Sequence, residues 1–129
     1  MKGPRSRVLL VDDEAVIRLL CTVNLEDAGF EVEAVGNGAA AIAEAHRERP
    51  DLIVLDLRMP EMDGWSVLGA LGVAYRDDPI PVIVLSAWAS PDEAQRVVDQ
   101  GAEFMAKPFE PDELVDRVRS TIARSRGSA

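Results

Sequence analysis

Five times along the 129 residues, a short apolar run is followed by a segment with helical periodicity, and this alternation restricts the fold more than any other feature. The runs predict strands over Val8–Val11, Glu31–Val35, Leu52–Leu55, Pro81–Leu85 and Glu103–Ala106. Helices are expected over Ala15–Ala28, Gly38–Arg49, Trp65–Tyr75, Pro91–Gln100 and Pro111–Arg124. Runs such as Val8-Leu9-Leu10-Val11 and Leu52-Ile53-Val54-Leu55 are apolar throughout, the pattern of strands buried on both faces. Strands and helices in strict alternation then make an α/β fold, a doubly wound five-stranded parallel sheet covered by helices on each side.

Local signals agree with this reading. Val16, Leu19, Leu20 and Val23 recur at helical spacing in the first helix, and Gly29 follows where a left-handed cap is wanted. Ser90 is positioned to cap the fourth helix, Pro91 suits its first position, Glu93 completes a capping box, and Gly101 ends it. In the fifth, Val115, Val118 and Ile122 share one face, leaving Asp112, Asp116 and Arg119 to solvent.

Composition narrows the function. Apolar residues make up 47% and charged residues 29%, a globular balance. The longest apolar runs fall far short of the roughly 20 residues of a membrane span. No apolar stretch follows the basic Met1–Arg7 segment, which argues against a secretory signal. The net charge of −9 disfavours a phosphate-backbone surface, so direct nucleic-acid binding is not expected, and the basic residues at the two ends read as solvated tails. Cys21 has no partner for a disulfide, reads as a core residue, and fits a reducing cytoplasm. The five units fill the chain as one domain, residues 1–129, with a core over about 7–124.

In open sheets of this kind, function gathers beyond the carboxyl ends of the strands. Strand one ends in Asp12-Asp13-Glu14, strand three in Asp56, strand four in Ser86, and strand five runs into Lys107-Pro108. A 2-1-3-4-5 strand order brings Asp12, Asp13 and Asp56 together. Two unit charges 4 Å apart repel by about 4 kcal/mol at an effective dielectric of about 20, so such a cluster takes up protons or binds a cation. Hard oxygen ligands without His or Cys suit Mg²⁺, or Mn²⁺, better than zinc. A carboxylate nucleophile, a metal and a lysine facing developing negative charge are the equipment of phosphoryl transfer.

Four stretches carry a family resemblance: Val8–Glu14, Leu52–Gly64, Val82–Ala87 and Gly101–Phe109. Together they resemble the response-regulator receiver domain of two-component signalling, a flavodoxin-like (βα)5 fold of strand order 2-1-3-4-5. The resemblance implies that Asp56 is the phosphoacceptor. It implies Mg²⁺ held by Asp13 and Asp56, by Asp12 mainly through water, and by the backbone carbonyl of Arg58. Ser86 and Lys107 then bind the phosphoryl group, a cis bond joins Lys107 to Pro108, and Ser86 with Phe104 forms the switch. The face made by helix four, strand five and helix five would be what partners read. The chain departs from the commonest pattern in having Phe104 where Tyr is more frequent and Ser86 where Thr is. The resemblance also places Arg58 and Trp88 at the entrance for attacking water, as tuners of phosphoryl lifetime; Trp88 reads equally as an aromatic for partner contact.

The competing readings are concrete. Asp13 suits a helix cap as well as a metal site. His46, among Glu44, Arg47 and Glu48, reads as part of a solvated face, and Trp65 as a packing residue. A flavodoxin-type electron carrier needs a Ser/Thr/Gly-rich phosphate loop where this chain has Asp12-Asp13-Glu14. A dehalogenase-type phosphatase needs an acid where Arg58 stands. A degenerate receiver, acting only as a binding module, would lack the Asp, Ser and Lys set. The expectation is a signalling protein, not an enzyme with a diffusible product. It would be phosphorylated by a histidine kinase or histidine phosphotransfer protein and dock on a downstream target, as a monomer or weak phosphorylation-dependent dimer.

Overall fold

The computed structural model describes residues 5–59, 63–87 and 90–127. Its element order is β1 (Arg7–Val11), α1 (Ala15–Asp27), β2 (Glu31–Val35), α2 (Gly38–Arg47), β3 (Leu52–Asp56), α3 (Gly64–Ala74), β4 (Val82–Ser86), α4 (Pro91–Asp99), β5 (Glu103–Ala106) and α5 (Pro111–Gly127). The five strands form one parallel sheet in the order β2-β1-β3-β4-β5. Each βα unit agrees with the sequence expectation to within a few residues. Two strand ends matter for function: Asp56 and Ser86 are the last residues of β3 and β4, each one residue beyond the predicted range. Ladder pairing therefore holds their backbones, with Asp56 opposite Leu85 and Ser86 opposite Ala106.

Alternating side chains of the central strands feed two cores. Leu9, Val11, Ile53, Leu55 and Val84 pack on one face with α2, α3 and α4 residues, including Ala41, Val67 and Val97. Val8, Leu10, Val54, Ile83 and Leu85 pack on the other with Cys21, Leu25, Leu114, Val118 and Ile122 of α1 and α5. Truncating Ile53 or Leu55 to Ala, both sealed from solvent, would cost about 2–5 kcal/mol. Cys21 is buried as expected, and its thiol is pushed up to about 11, first by burial and then by Asp12.

Helix ends follow the sequence signals. Ser90 and Glu93 form the capping box, and Gly29 and Gly101 adopt φ of 101° and 82° after their helices. Asp13 does not cap α1: Glu14 holds the cap position without a side-chain bond. α2 stops at Arg47, two residues short of expectation, because Glu48 is already extended ahead of Pro50.

The sequence left the facing of one helical stripe open, and two of its readings need correction. The Val16, Leu19, Leu20 and Val23 stripe faces out, with 75%, 67%, 41% and 54% exposure, while Cys21 and Leu25 with Ile17 face the core. Helical spacing detects a stripe but not the side it faces. Arg7 belongs to no tail; it is buried as the first residue of β1 and pairs with Glu44 at 2.6 Å. At the other end α5 continues to Gly127, with Arg124 donating to Glu103 at 2.6 Å and Arg126 lying 3.6 Å from Asp51. Among the described residues, no helix is long and apolar enough to cross a membrane.

Candidate functional site

The β1–α1 loop leaves the sheet between two strands of the central ladder. Asp12, the first residue after β1, donates its N–H to the Val35 carbonyl (3.2 Å) and has no exposed surface. Its carboxylate accepts from the Glu14 N–H at 2.9 Å and from Lys107 Nζ at 2.9 Å. Asp56, 4% exposed, accepts from the Arg58 N–H at 3.1 Å. Asp13 is exposed at the pocket mouth. One carboxylate oxygen from each of Asp12, Asp13 and Asp56 lies within 4.8 Å of the others.

Lys107 is the cation of this cluster. Besides Asp12, its Nζ is 3.7 Å from an Asp56 oxygen and 3.7 Å from Glu14. Burial by itself would lower the Lys107 pKa, but the bond to Asp12 and the charges of Asp56, Asp12 and Glu14 outweigh it and raise the value. Its N–H donates to the Ser86 carbonyl at 2.8 Å, and the bond to Pro108 is cis, as the resemblance implied. Burial raises Asp56 from 3.8 to about 6; the Arg58 N–H and Lys107 hold it down, while Asp12 and Asp13 push it up. Two carboxylates and a lysine are thus sealed together at the sheet edge, with a third carboxylate on the open side. That set of hard oxygen donors, with no imidazole or thiolate, fits Mg²⁺ or Mn²⁺.

Ser86 is buried beside Asp56 on the next strand, and Phe104, half-buried on β5, packs against the core shared with α3 and α4. The Arg58 guanidinium reaches the α4 cap, bonding Glu93 at 2.9 Å. Trp88 lies outside the described residues, as do Pro60, Glu61 and Met62 of the β3 motif. Trp65 packs on the α3–α4 core, and Arg96 lies over its ring at 4.1 Å. His46 is exposed.

Several contributors escaped the sequence reading. Gly64 lets α3 begin against the end of β3: a Cβ there would sit 2.7 Å from the Asp56 carbonyl oxygen and 2.7 Å from Leu57 Cα. Glu14 and Glu93 are partners of Lys107 and Arg58 that no local pattern announces. Arg18 donates to the Asp12 carbonyl at 2.7 Å, a contact that its position one turn after Glu14 makes possible. Beside the cluster runs a groove of about 460 Å³ lined by Ile17, Leu20, Ala87, Lys107, Pro108 and Phe109, continuous with the exposed α1 stripe.

Comparison with known proteins agrees with this arrangement. The family model described as response regulator receiver domain matches residues 8–119. The chain is 43% identical over 123 residues to the transcriptional regulatory protein PrrA of Mycobacterium tuberculosis, covering 95% of this chain and 52% of PrrA. It is 35% identical over 126 residues to the DNA-binding response regulator MtrA of the same species, covering 97% and 54%. The chain thus spans about half the length of the curated relatives it matches. Among solved structures, chemotaxis protein CheY4 of Vibrio cholerae superposes with a TM-score of 0.85 at 33% identity, covering 92% of this chain and 99% of that one. The signal receiver domain of a LuxO repressor protein from Vibrio parahaemolyticus gives 0.89 at 33%, covering 97% and 95%. With a match that reaches from the second residue of β1 into α5 and an acidic cluster where its strands end, the chain belongs to the response-regulator receiver-domain family of two-component signalling.

Proposed function

We propose that this receiver domain accepts a phosphoryl group on Asp56 from a phosphohistidine of a histidine kinase or phosphotransfer protein, and controls a partner protein through the face made by α4, β5 and α5. The observation that carries the proposal is the meeting of three carboxylates within 4.8 Å, with Lys107 Nζ at 2.9 Å from one and 3.7 Å from another.

An ionised Asp56 oxygen attacks phosphorus as the bond to the donor nitrogen breaks; with the donor ring protonated on its other nitrogen, the products are an acyl phosphate and a neutral imidazole. A carboxyl group titrating near 6 is mostly ionised at neutral pH, so the nucleophile is available. Mg²⁺ or Mn²⁺ held by Asp12, Asp13, Asp56 and the Arg58 carbonyl would supply positive charge against the phosphoryl oxygens. Lys107 does the same from the buried side and gains a stronger anion than the Asp56 carboxylate. Ser86 offers a hydroxyl on the adjoining strand. Its movement toward the new group vacates space into which Phe104 turns, and the α4–β5–α5 face changes with it. Arg58 and Trp88 tune how long the group survives water.

The donor has to bring its phosphohistidine over Asp56. The exposed Val16, Leu19, Leu20 and Val23 stripe beside the site is the apolar surface available for that docking. Hydrolysis of its own acyl phosphate makes the domain a timed signal, not an enzyme with a diffusible product. The flavodoxin-type alternative finds no support at the β1–α1 loop, where acids stand in place of phosphate-binding hydroxyls. The test is addition of beryllofluoride with Mg²⁺, followed by amide NMR. Shifts at Asp56, Ser86 and Lys107 that spread to β5 and α4 are expected; shifts confined to the pocket would refute the switch, and none at all would refute the acceptor.

A further inference from the structure

Asp12 is held by every polar group it has. Its N–H is bonded to Val35, one carboxylate oxygen to the Glu14 N–H and the other to Lys107, and its carbonyl accepts from Arg18 Nη1 at 2.7 Å. That carbonyl belongs to the same planar peptide as the Asp13 N–H. A grip on the carbonyl therefore sets the direction in which Asp13 leaves the strand.

The guanidinium that makes the grip is itself seated. Its notch is Gly36, just after β2, where a Cβ would lie 2.9 Å from Arg18 Nη1 and 3.4 Å from Cζ. The nearest atoms to that absent Cβ all belong to Arg18. Gly36 is not in the left-handed region, so backbone conformation does not demand glycine there; what a Cβ would meet is the far end of the Arg18 side chain, which would have to shift from its seat. Arg18 thus spans the β1–α1 and β2–α2 loops and ties the acidic turn to the sheet. It is planar and always charged, which suits a bond to a carbonyl beside three carboxylates.

We infer that Arg18, seated against Gly36, is a positioning residue that orients the Asp12–Asp13 peptide so that both carboxylates are directed at one cation. The inference rests on the reading of Asp12, Asp13 and Asp56 as a divalent-metal site. Without this bond the Asp12 carboxylate stays fixed by Lys107 and Glu14, while Asp13 gains freedom to point away. The loss therefore falls on metal affinity more than on folding.

The experiment is Mg²⁺ titration by calorimetry of the wild type, Arg18→Met, Gly36→Ala and the double variant, with thermal midpoints in chelator recorded alongside. Arg18→Met is expected to weaken Mg²⁺ binding about tenfold, the scale of one hydrogen bond in a charged setting. Gly36→Ala keeps the charge but displaces the guanidinium, and is expected to weaken it by about fivefold. In the Arg18→Met background, Gly36→Ala should cost nothing more, because the side chain it would strike is gone. Gly36→Ala also carries the test if Arg18→Met fails to fold. A Gly36→Ala variant with wild-type affinity overturns the inference, as does an equal loss in both backgrounds. A wild type that binds no Mg²⁺ overturns the metal site and the inference with it, an outcome distinct from variants that match a wild type that binds.

Discussion

Replacing Asp56 by Asn should make the metal-free protein more stable at neutral pH. The carboxyl titrates at 3.8 when unfolded and about 6 when folded, chiefly because it is buried. The folded state therefore prefers the protonated acid. Its contribution is fully present below about pH 4 and is lost as pH rises through about 6, where a buried carboxylate must ionise. A gap of about two pKa values at 1.36 kcal/mol each sets a ceiling near 3 kcal/mol. Solvent reaching the pocket mouth reduces this to about 1–2 kcal/mol. Asn keeps the acceptor for the Arg58 N–H, and Lys107 keeps Asp12 at 2.9 Å, so little is lost in exchange. The assay is thermal denaturation of both proteins in chelator at pH 7.5 and pH 4.5. Asp56→Asn should be the more stable at pH 7.5, by a thermal midpoint about 3–8 °C higher, with the advantage falling to about a third of that at pH 4.5. A variant no more stable at pH 7.5, or an advantage that persists undiminished at pH 4.5, would refute the account of Asp56 as a buried, strained acid.

Lys107→Met should destabilise the metal-free protein by about 3 kcal/mol, because fully buried Asp12 loses its cation; denaturation at neutral pH measures it, and an unchanged midpoint contradicts it. Gly64→Ala should cost about 1–3 kcal/mol and slow phosphorylation, since its Cβ meets the backbone of Asp56 and Leu57, which cannot swing aside. Leu19→Glu, on an exposed face, should leave stability within about 0.5 kcal/mol and leave labelling by a small phosphodonor intact, while transfer from a phosphorylated protein donor falls. Equal transfer would remove the α1 stripe from the docking surface.

The sheet was legible because β1, β3 and β4 are buried on both faces and so read as unbroken apolar runs. Strand order and the meeting of Asp12, Asp13, Asp56 and Lys107 followed once the acids were seen at strand ends. What local pattern could not reveal was the direction of a face or the partner of a charge. The α1 stripe has good helical period but points to solvent, because Cys21 and Leu25 take the core side. Arg7 reads as a basic tail residue until α2 folds back and presents Glu44. Arg18 and Gly36 are 18 positions apart, and neither has a motif; only the packing of two loops brings them together.

Incubation with a small phosphodonor such as acetyl phosphate, followed by intact-mass measurement, tests the central claim most directly. A single phosphoryl increment is predicted, dependent on Mg²⁺, lost in chelator and absent from Asp56→Asn. An increment that survives in Asp56→Asn, or that forms without a divalent cation, would contradict it.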